Sequence, residues 1–253
     1  MNLSNYKAVI LAGGKGTRLY PITKEIPKPL LPINRKPIIN YLIDLFQEQG
    51  IKEIAVLISK DFREDFEWWK KRYFPSAGSG RISKIKLVEE QKPLGTFGGL
   101  FLLKHWLGDR PFFLTNGDEL KEIDLLEMSR FHQKTGSLAT IALVEVPDPQ
   151  NYGVVLCQSG IIKEFLEKPQ NPPSNYINSG LYLLSPDIFN HPVCRSTRAG
   201  RFVGRREPKF LMTEIDLFPR LAKEGKLFAC KFKGKWTDCG TWERYSRALK
   251  DWK

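Results

Sequence analysis

Val9-Ile10-Leu11-Ala12-Gly13-Gly14-Lys15-Gly16-Thr17-Arg18-Leu19 is the stretch that decides the fold, and Pro27-Lys28-Pro29-Leu30-Leu31-Pro32 follows it. The apolar run 9–11 predicts a short parallel strand, buried on both faces and ending in glycines. Gly13, Gly14 and Gly16 carry no Cβ, so a phosphate can come close to main-chain N–H groups there. Lys15 and Arg18 add charge, and a guanidinium can grip a phosphate through two donors. Pro27 and Pro29 hold Lys28 in a stiff loop. Two familiar phosphate loops are excluded. A G-x-G-x-x-G pattern counted from Gly14 ends on Leu19, and no Gly-Lys-Ser/Thr stands at Walker A spacing. Taken alone, the glycines are equally well explained by a tight strand-to-helix turn with surface cations.

Outward from this loop the first half alternates helix and strand. Ile38, Ile39, Leu42, Ile43, Leu45 and Phe46 recur at helical spacing, with Gly50 as a stop. Residues 54–58 read as a second strand. Asp61 is placed to cap a helix running to about Tyr73, with Phe62, Phe66, Trp69 and Tyr73 as its apolar stripe. A loop at 75–80, a strand at 85–88, a helix at 96–106 and a strand at 112–114 follow. This rhythm predicts a doubly wound, mostly parallel sheet with ligands at the carboxyl ends of its strands. The second half reads differently. Strands at 138–146, 154–157, 161–166 and 177–184 have short connections, which predicts a mixed sheet and a lobe closing the other side of a cleft. Ser185-Pro186-Asp187 is a helix start. Residues 191–209 read as an arginine-rich loop, and helices are expected at 213–224 and 241–250.

The chain has 253 residues, 42% of them hydrophobic, with a mean hydropathy of -0.33. These values fit a globular protein with one sizeable core. No apolar run approaches the roughly 18 residues that cross a membrane. Residues 1–7 lack the apolar segment of a signal peptide, so a cytoplasmic protein is expected. Cys157, Cys194, Cys230 and Cys239 show no C-x-x-C spacing, which argues against a zinc or redox motif. The net charge of +12 suits a nucleic acid, an anionic surface or a phosphate-rich substrate. Its densest patch is Arg195, Arg198, Arg201, Arg205, Arg206 and Lys209. No nucleic-acid-binding motif accompanies it, so neither nucleic acid nor membrane is expected as a partner.

The chemistry-bearing stretches are local and few. Asn116-Gly117-Asp118 follows the fourth strand, where a carboxylate suits a hard cation such as Mg²⁺. An Asn-Gly turn with a helix-capping aspartate is the plainer reading. Trp236-Thr237-Asp238-Cys239-Gly240-Thr241 ends a strand and opens the final helix. Phe165-Leu166-Glu167-Lys168-Pro169 closes another strand, and its Glu-Lys pair is by itself an ordinary surface pair. Asn151-Tyr152-Gly153 precedes it and Asn178-Ser179-Gly180 follows. Glu90-Gln91-Lys92-Pro93-Leu94-Gly95-Thr96 reads as a loop leading into a helix.

Taken together and in this order, these stretches resemble the signature of the sugar-1-phosphate nucleotidylyltransferases, from Lys7 to about Ala248. The resemblance is nearest to guanylyltransferases for mannose or heptose phosphates, because Pro-Leu-Gly-Thr stands at 93–96. It implies an α/β, doubly wound, Rossmann-like mixed sheet carrying a sugar-binding lobe, in a single domain over 1–253. The nucleotide-binding part would span about 1–135 and the sugar-binding part about 136–253. No left-handed β-helix repeat follows. Leu11, Ala12, Gly13, Gly14, Gly16, Thr17, Asn116 and Gly117 would bind the nucleotide, with Glu90, Pro93, Gly95 and Thr96 facing the base. Arg18, Lys28 and Lys168 would be catalytic. Gly153, Glu167, Asn178 and Gly180 would bind the sugar phosphate. Asp118 and Asp238 would hold Mg²⁺.

The reaction implied is transfer of a nucleotidyl group from a nucleoside triphosphate, GTP favoured, to a sugar 1-phosphate, with release of pyrophosphate. Phe97 stands where a small residue is usual, so thymidylyl or uridylyl transfer stays open; Cys239, where an aliphatic residue is common, is a mild departure in the stretch that carries Asp238. A non-catalytic subunit that only binds nucleotide sugar also stays open, although Arg18, Lys28, Asp118, Lys168 and Asp238 are all present. Assembly into a homo-oligomer is compatible with the sequence.

Overall fold

The computed structural model describes residues 2–75, 84–195 and 210–252. Its strands in chain order are β1 (Lys7–Ala12), β2 (Pro32–Ile33), β3 (Lys36–Pro37), β4 (Glu53–Ser59), β5 (Lys84–Glu90), β6 (Phe112–Asn116), β7 (Glu119–Lys121), β8 (Ala139–Glu145), β9 (Gly153–Gln158), β10 (Ile161–Glu167), β11 (Tyr176–Leu184), β12 (Leu227–Lys231) and β13 (Trp236–Asp238). The helices are α1 (Ile38–Glu48), α2 (Arg63–Tyr73), α3 (Gly95–Gly98), α4 (Lys104–Leu107), α5 (Leu125–Thr135), α6 (Pro192–Arg195), α7 (Phe218–Lys223) and α8 (Trp242–Asp251). They form two compact units interleaved along the chain. Unit 1 comprises Met1–Lys92, Phe113–Glu127 and Lys233–Lys253; unit 2 comprises Pro93–Phe112 and Met128–Phe232.

Unit 1 holds parallel strands of the doubly wound sheet. Its strands lie in the order β5-β4-β1-β6, and β1 and β5 each pair in parallel with β4. Val9, Ile10, Ile54, Val56 and Leu57 are buried, as a parallel strand covered on both faces requires. Removing such an aliphatic side chain costs about 2–5 kcal/mol. α1 buries Ile38, Ile39, Leu42, Ile43 and Phe46. Trp69 of α2 reaches Asn40 of α1 with a buried hydrogen bond of 2.7 Å. Gln49 donates to Ile123 O at 2.8 Å and accepts from Leu125 N at 2.7 Å. It thereby ties the end of α1 to the start of α5, a helix not read from the sequence.

Unit 2 is mixed, as expected. Its strand order is β11-β8-β12-β10-β9, and β9 also pairs with β11. β8 runs antiparallel to β11 and parallel to β12. β12 was not foreseen. It is five residues long and follows a turn at Gly225, whose φ is 67°.

Several expected elements change in detail. Ser59, not Asp61, supplies the cap, accepting from Asp61 N, and a 3₁₀ turn precedes α2. The expected helix at 96–106 is broken into α3, a 3₁₀ segment Gly99–Leu103 and α4. Adjacent Gly98 and Gly99 weaken a continuous helix there. The expected helix at 213–224 begins as a π-helical turn Thr213–Leu217 before α7. Ser185 precedes a 3₁₀ helix rather than an α-helix. Most of the 75–80 loop and the arginine-rich stretch from Arg198 to Lys209 lie outside the described residues. No helix among the described residues is long and apolar enough to cross a membrane.

Candidate active site

The candidate residues of unit 1 lie at the carboxyl edge of its strands. β1 brings Leu11 and Ala12 there, followed by Gly13, Gly14, Gly16, Thr17 and Arg18. Gly14, Lys15, Thr17 and Arg18 are exposed, as an open cradle for an anion requires. Gly117 N donates to Leu11 O at 2.9 Å. A Cβ on Gly117 would lie 2.5 Å from that oxygen, so only glycine allows the two turns to meet. Asn116 donates to Glu119 Oε1 at 2.9 Å.

Lys28 is 6% exposed, and its ammonium donates to Asp118 Oδ2. Burial pushes the Asp118 carboxyl up. Lys28, then Lys121 and Arg18, outweigh it and hold the group below the usual carboxylate range. Asp238 sits close by through strand pairing: β13 runs antiparallel to β7 with Asp238 opposite Glu119. Cys239 N donates to Asp118 O at 3.0 Å. Asp238 Oδ1 accepts from Gly240 N at 2.7 Å, and Oδ2 accepts from Arg244 at 3.0 Å. A Cβ on Gly240 would stand 3.4 Å from Arg18, which places that guanidinium beside the same turn. Cys239 is a buried packing residue. Burial first, and then Asp118, pushes its thiol up to about 12.

Behind the two aspartates lies a pair that the sequence did not reveal. The Lys121 side chain is fully buried and donates to Glu119 Oε2 at 2.8 Å and Thr115 Oγ1 at 3.0 Å. Burial pushes Glu119 up and Lys121 down, and each opposes that shift in the other. Arg244 was also missed. Its signal was Thr241, whose hydroxyl accepts from Arg244 N and so starts α8 at the turn that returns Arg244 to Asp238.

Glu90 forms the far side of this half. Register pairs it with Ser59 across β4 and β5. A Cβ built on Gly13 would lie 2.8 Å from Glu90 Oε2 and 3.4 Å from Ser59 N. The carboxylate therefore occupies the space that the glycine leaves open. Burial raises its pKa to about 7.

Unit 2 gathers predicted residues of its own by strand register. Glu167 stands opposite Gly153 across β9 and β10, and Ile177 opposite Val154 across β9 and β11. Gly153 thus lies among Phe165, Glu167 and Asn178, with no room for a side chain. Burial raises the Glu167 carboxyl, against Lys168, whose ammonium is 3.4 Å away. The Lys168 side chain is largely exposed, on a backbone with φ of 49°, a left-handed conformation uncommon outside glycine. Asn178 Oδ1 accepts from Gly180 N at 2.9 Å, at a β-bulge between Asn178 and Tyr182. Bulges of this kind re-aim side chains. Pro93 is exposed, and Thr96 bonds Thr213 and Glu214. Phe97 is 1% exposed and packs on Phe101 and Phe189. Its bulk belongs to the core of unit 2. Tyr182 and Glu214 were not read from the sequence.

Comparison with known proteins now decides the family. The model of the family described as nucleotidyl transferase matches residues 7–253. The chain belongs to the nucleotidyl transferase family. A mannose-1-phosphate guanylyltransferase catalytic subunit beta of Xenopus tropicalis is 36% identical over 238 residues, covering 92% of this chain and 61% of the relative. The same figures of 36%, 92% and 61% hold for a catalytic subunit beta of Danio rerio. The chain thus spans less than two thirds of these relatives' length.

Among solved structures, HddC from Yersinia pseudotuberculosis complexed with GMP-PN has a TM-score of 0.77 at 28% identity, covering 98% of this chain and all of that one. UDP-glucose pyrophosphorylase complexed with UDP-glucose also has a TM-score of 0.77, at 27% identity and 97% coverage of each chain. Two equally similar folds carry different bases, so backbone similarity alone does not select one.

Proposed function

We propose that the chain transfers a guanylyl group from GTP to a sugar 1-phosphate of mannose or heptose type, giving a nucleotide sugar and pyrophosphate. The observation that carries this reading is the meeting, in unit 1, of an exposed glycine cradle with the Lys28–Asp118 pair and Arg18. Anionic triphosphate needs main-chain donors and cations of this kind. A sugar phosphate oxygen bonds to the α-phosphorus as the bond from that phosphorus to the α–β bridging oxygen breaks, and pyrophosphate leaves. No covalent enzyme intermediate is required, so positioning and electrostatics do the chemistry. The loop at 13–18 holds the triphosphate, with Arg18 towards the leaving pyrophosphate. Lys28 offsets charge on the reacting phosphates. Lys168 holds the attacking phosphate, and Glu167 and Asn178 take sugar hydroxyls.

The donor set suits Mg²⁺. Asp118 lies in the turn just before β7 and Asp238 ends β13, the strand paired with β7, and no group of three or more potential ligands forms among the described residues. Mg²⁺ characteristically takes one or two carboxylates and completes its shell with phosphate and water oxygens. When bound it supplies charge neutralisation for the triphosphate.

Guanine is favoured over other bases by Glu90. The ionised carboxylate of Glu90 accepts hydrogen bonds from donors. Guanine presents two adjacent donors, N1–H and the 2-amino group, whereas thymine and uracil present one. The names of the curated relatives point the same way. The deciding experiment is pyrophosphate release from five nucleoside triphosphates crossed with common sugar 1-phosphates. GTP with mannose 1-phosphate or a heptose 1-phosphate should give the highest kcat/KM. Dominance of dTTP or UTP overturns the base assignment, and silence across the whole matrix revives a binding-only subunit.

A further inference from the structure

Unit 2 contains a hydrogen-bonded chain that none of the readings above uses. Asn178 Nδ2 donates to the Tyr182 hydroxyl at 2.8 Å. That hydroxyl donates to Glu214 Oε1 at 3.4 Å. The other carboxylate oxygen, Oε2, accepts from the Thr96 hydroxyl at 2.7 Å. One carboxylate therefore bridges a residue of the stretch read as sugar-facing and a residue of the stretch read as base-facing. Tyr182 has no exposed surface, so its hydroxyl cannot exchange these partners for bulk water.

The segment that carries Glu214 is built around the base-facing loop. Leu211 N donates to Leu94 O at 2.9 Å, and Leu211 O accepts from Phe97 N at 2.9 Å and Gly98 N at 3.1 Å. Thr213 N donates to Thr96 Oγ1 at 2.9 Å. Gly95 has φ of 77° and lies so close to Leu211 O that a Cβ would collide with it. Glu214 itself stands on the π-helical turn Thr213–Leu217. Such turns insert an extra residue into a helix and are frequent at functional sites. Thr96 is thus held by main chain and by carboxylate at once, and its hydroxyl cannot shift without moving Glu214. The loosest link is Tyr182 to Glu214.

We propose that Glu214 is a positioning residue that couples the nucleotide and sugar-phosphate subsites through Thr96 on one side and Tyr182–Asn178 on the other. The proposal rests on the guanylyltransferase reading above. Sugar phosphate that orders Asn178 and Tyr182 orders the carboxylate, and through it Thr96 of the stretch read as base-facing. By linkage the effect is reciprocal, and each substrate tightens the other by the same factor.

The test is a coupling ratio rather than a single affinity. Mannose 1-phosphate is titrated into the full chain with Mg²⁺, without and with saturating guanosine 5′-[α,β-methylene]triphosphate, which cannot release pyrophosphate. The wild type should show tightening within the roughly 5- to 150-fold range typical of coupled sites. Glu214→Gln keeps the volume but gives one arm a donor in place of an acceptor. Tyr182→Phe cuts the other link. Each should bring the ratio close to one, and the double variant should fall no further, because both act in one chain. Thermal unfolding of each variant checks that it is folded.

A wild type with no coupling overturns the proposal. So do folded single variants that keep the wild-type ratio, or a double variant whose losses add. A wild type that turns over GTP and mannose 1-phosphate while the variants keep the ratio sinks the coupling alone. A wild type that binds neither probe sinks the guanylyltransferase reading and the coupling with it.

Discussion

The candidate residues of the two units differ in chemistry. In unit 1 the side chains are ions already matched to ions: Lys28 with Asp118, Arg244 with Asp238, and Lys121 with Glu119. In unit 2 one half-exposed ion pair, Glu167 with Lys168, stands with neutral hydroxyls and amides, and Glu214 joins Thr96 to Tyr182 and Asn178. The difference follows the ligands proposed. Triphosphate brings several negative charges, so the protein holds cations ready and keeps them from repelling one another with carboxylates. A sugar brings hydroxyls that both donate and accept, so the protein offers groups of the same dual kind.

The sharpest way to break the comparison is at the buried ion pair. Lys121→Met leaves Glu119 without its cation inside unit 1 and should cost about 3–5 kcal/mol of stability by urea denaturation. Lys121→Met with Glu119→Gln should recover most of that loss, because no uncompensated charge remains. A single variant as stable as the wild type would show that this pair does not hold the edge. Asp118→Asn acts at the next level. It keeps the shape but removes the charge facing Lys28, and kcat for pyrophosphate release should fall about 10²–10³-fold, as for loss of one preorganised electrostatic group. Unchanged Mg²⁺-dependent turnover would remove Asp118 from the proposed metal site.

On the neutral side, Gly153→Ala places a methyl group 2.8 Å from Phe165 Cζ and 3.1 Å from Glu167 Oε2. Overpacking of this order costs about 1–3 kcal/mol. The KM for sugar 1-phosphate should rise while that for GTP stays put, which initial-rate kinetics will separate. An equal rise in both would mean that the halves are less distinct than the structure indicates.

The smallest expected effect concerns Glu90, whose shift has burial as its cause with no opposing cation among the described residues. Its pKa stands at about 7 against 4.5 for the free side chain, so the folded state keeps a proton that the unfolded chain has released between those values. The stability that this group contributes is fully present below pH 4.5 and is lost as pH rises through about 7. Glu90→Gln should therefore match the wild type near pH 4 and exceed it at pH 8. The gain should be about 1 kcal/mol, because partial exposure screens the charge. Chemical denaturation at the two pH values tests this. Such a residue lowers stability for the sake of binding, as functional sites commonly do.

Much of this was legible in the chain because the informative stretches are turns. Glycines at 13–16, the prolines around Lys28, the Asn-Gly-Asp turn and the Thr241 cap act on their own backbone within a few residues. Parallel and mixed halves were separable because strands buried on both faces read as continuous apolar runs. Other features left no local trace. The pairing of Asp238 with Glu119, and of Gly153 with Glu167 and Asn178, depends on register between distant strands. The helix expected at 96–106 broke at Gly98-Gly99, where packing of Phe97 on Phe189 outweighed a continuous helical ladder. Tyr182 and Glu214 sat in ordinary apolar and helical patterns and were invisible until folded.

The chain by itself determined the inventory of charges, the turns that expose them and the β-α rhythm, since these depend on neighbours a few bonds away. Only the tertiary structure decided which charge neutralises which, which carboxylate is left alone, and which hydroxyls are joined through Glu214. Electrostatic and hydrogen-bond energies depend on distance and burial, and sequence spacing specifies neither.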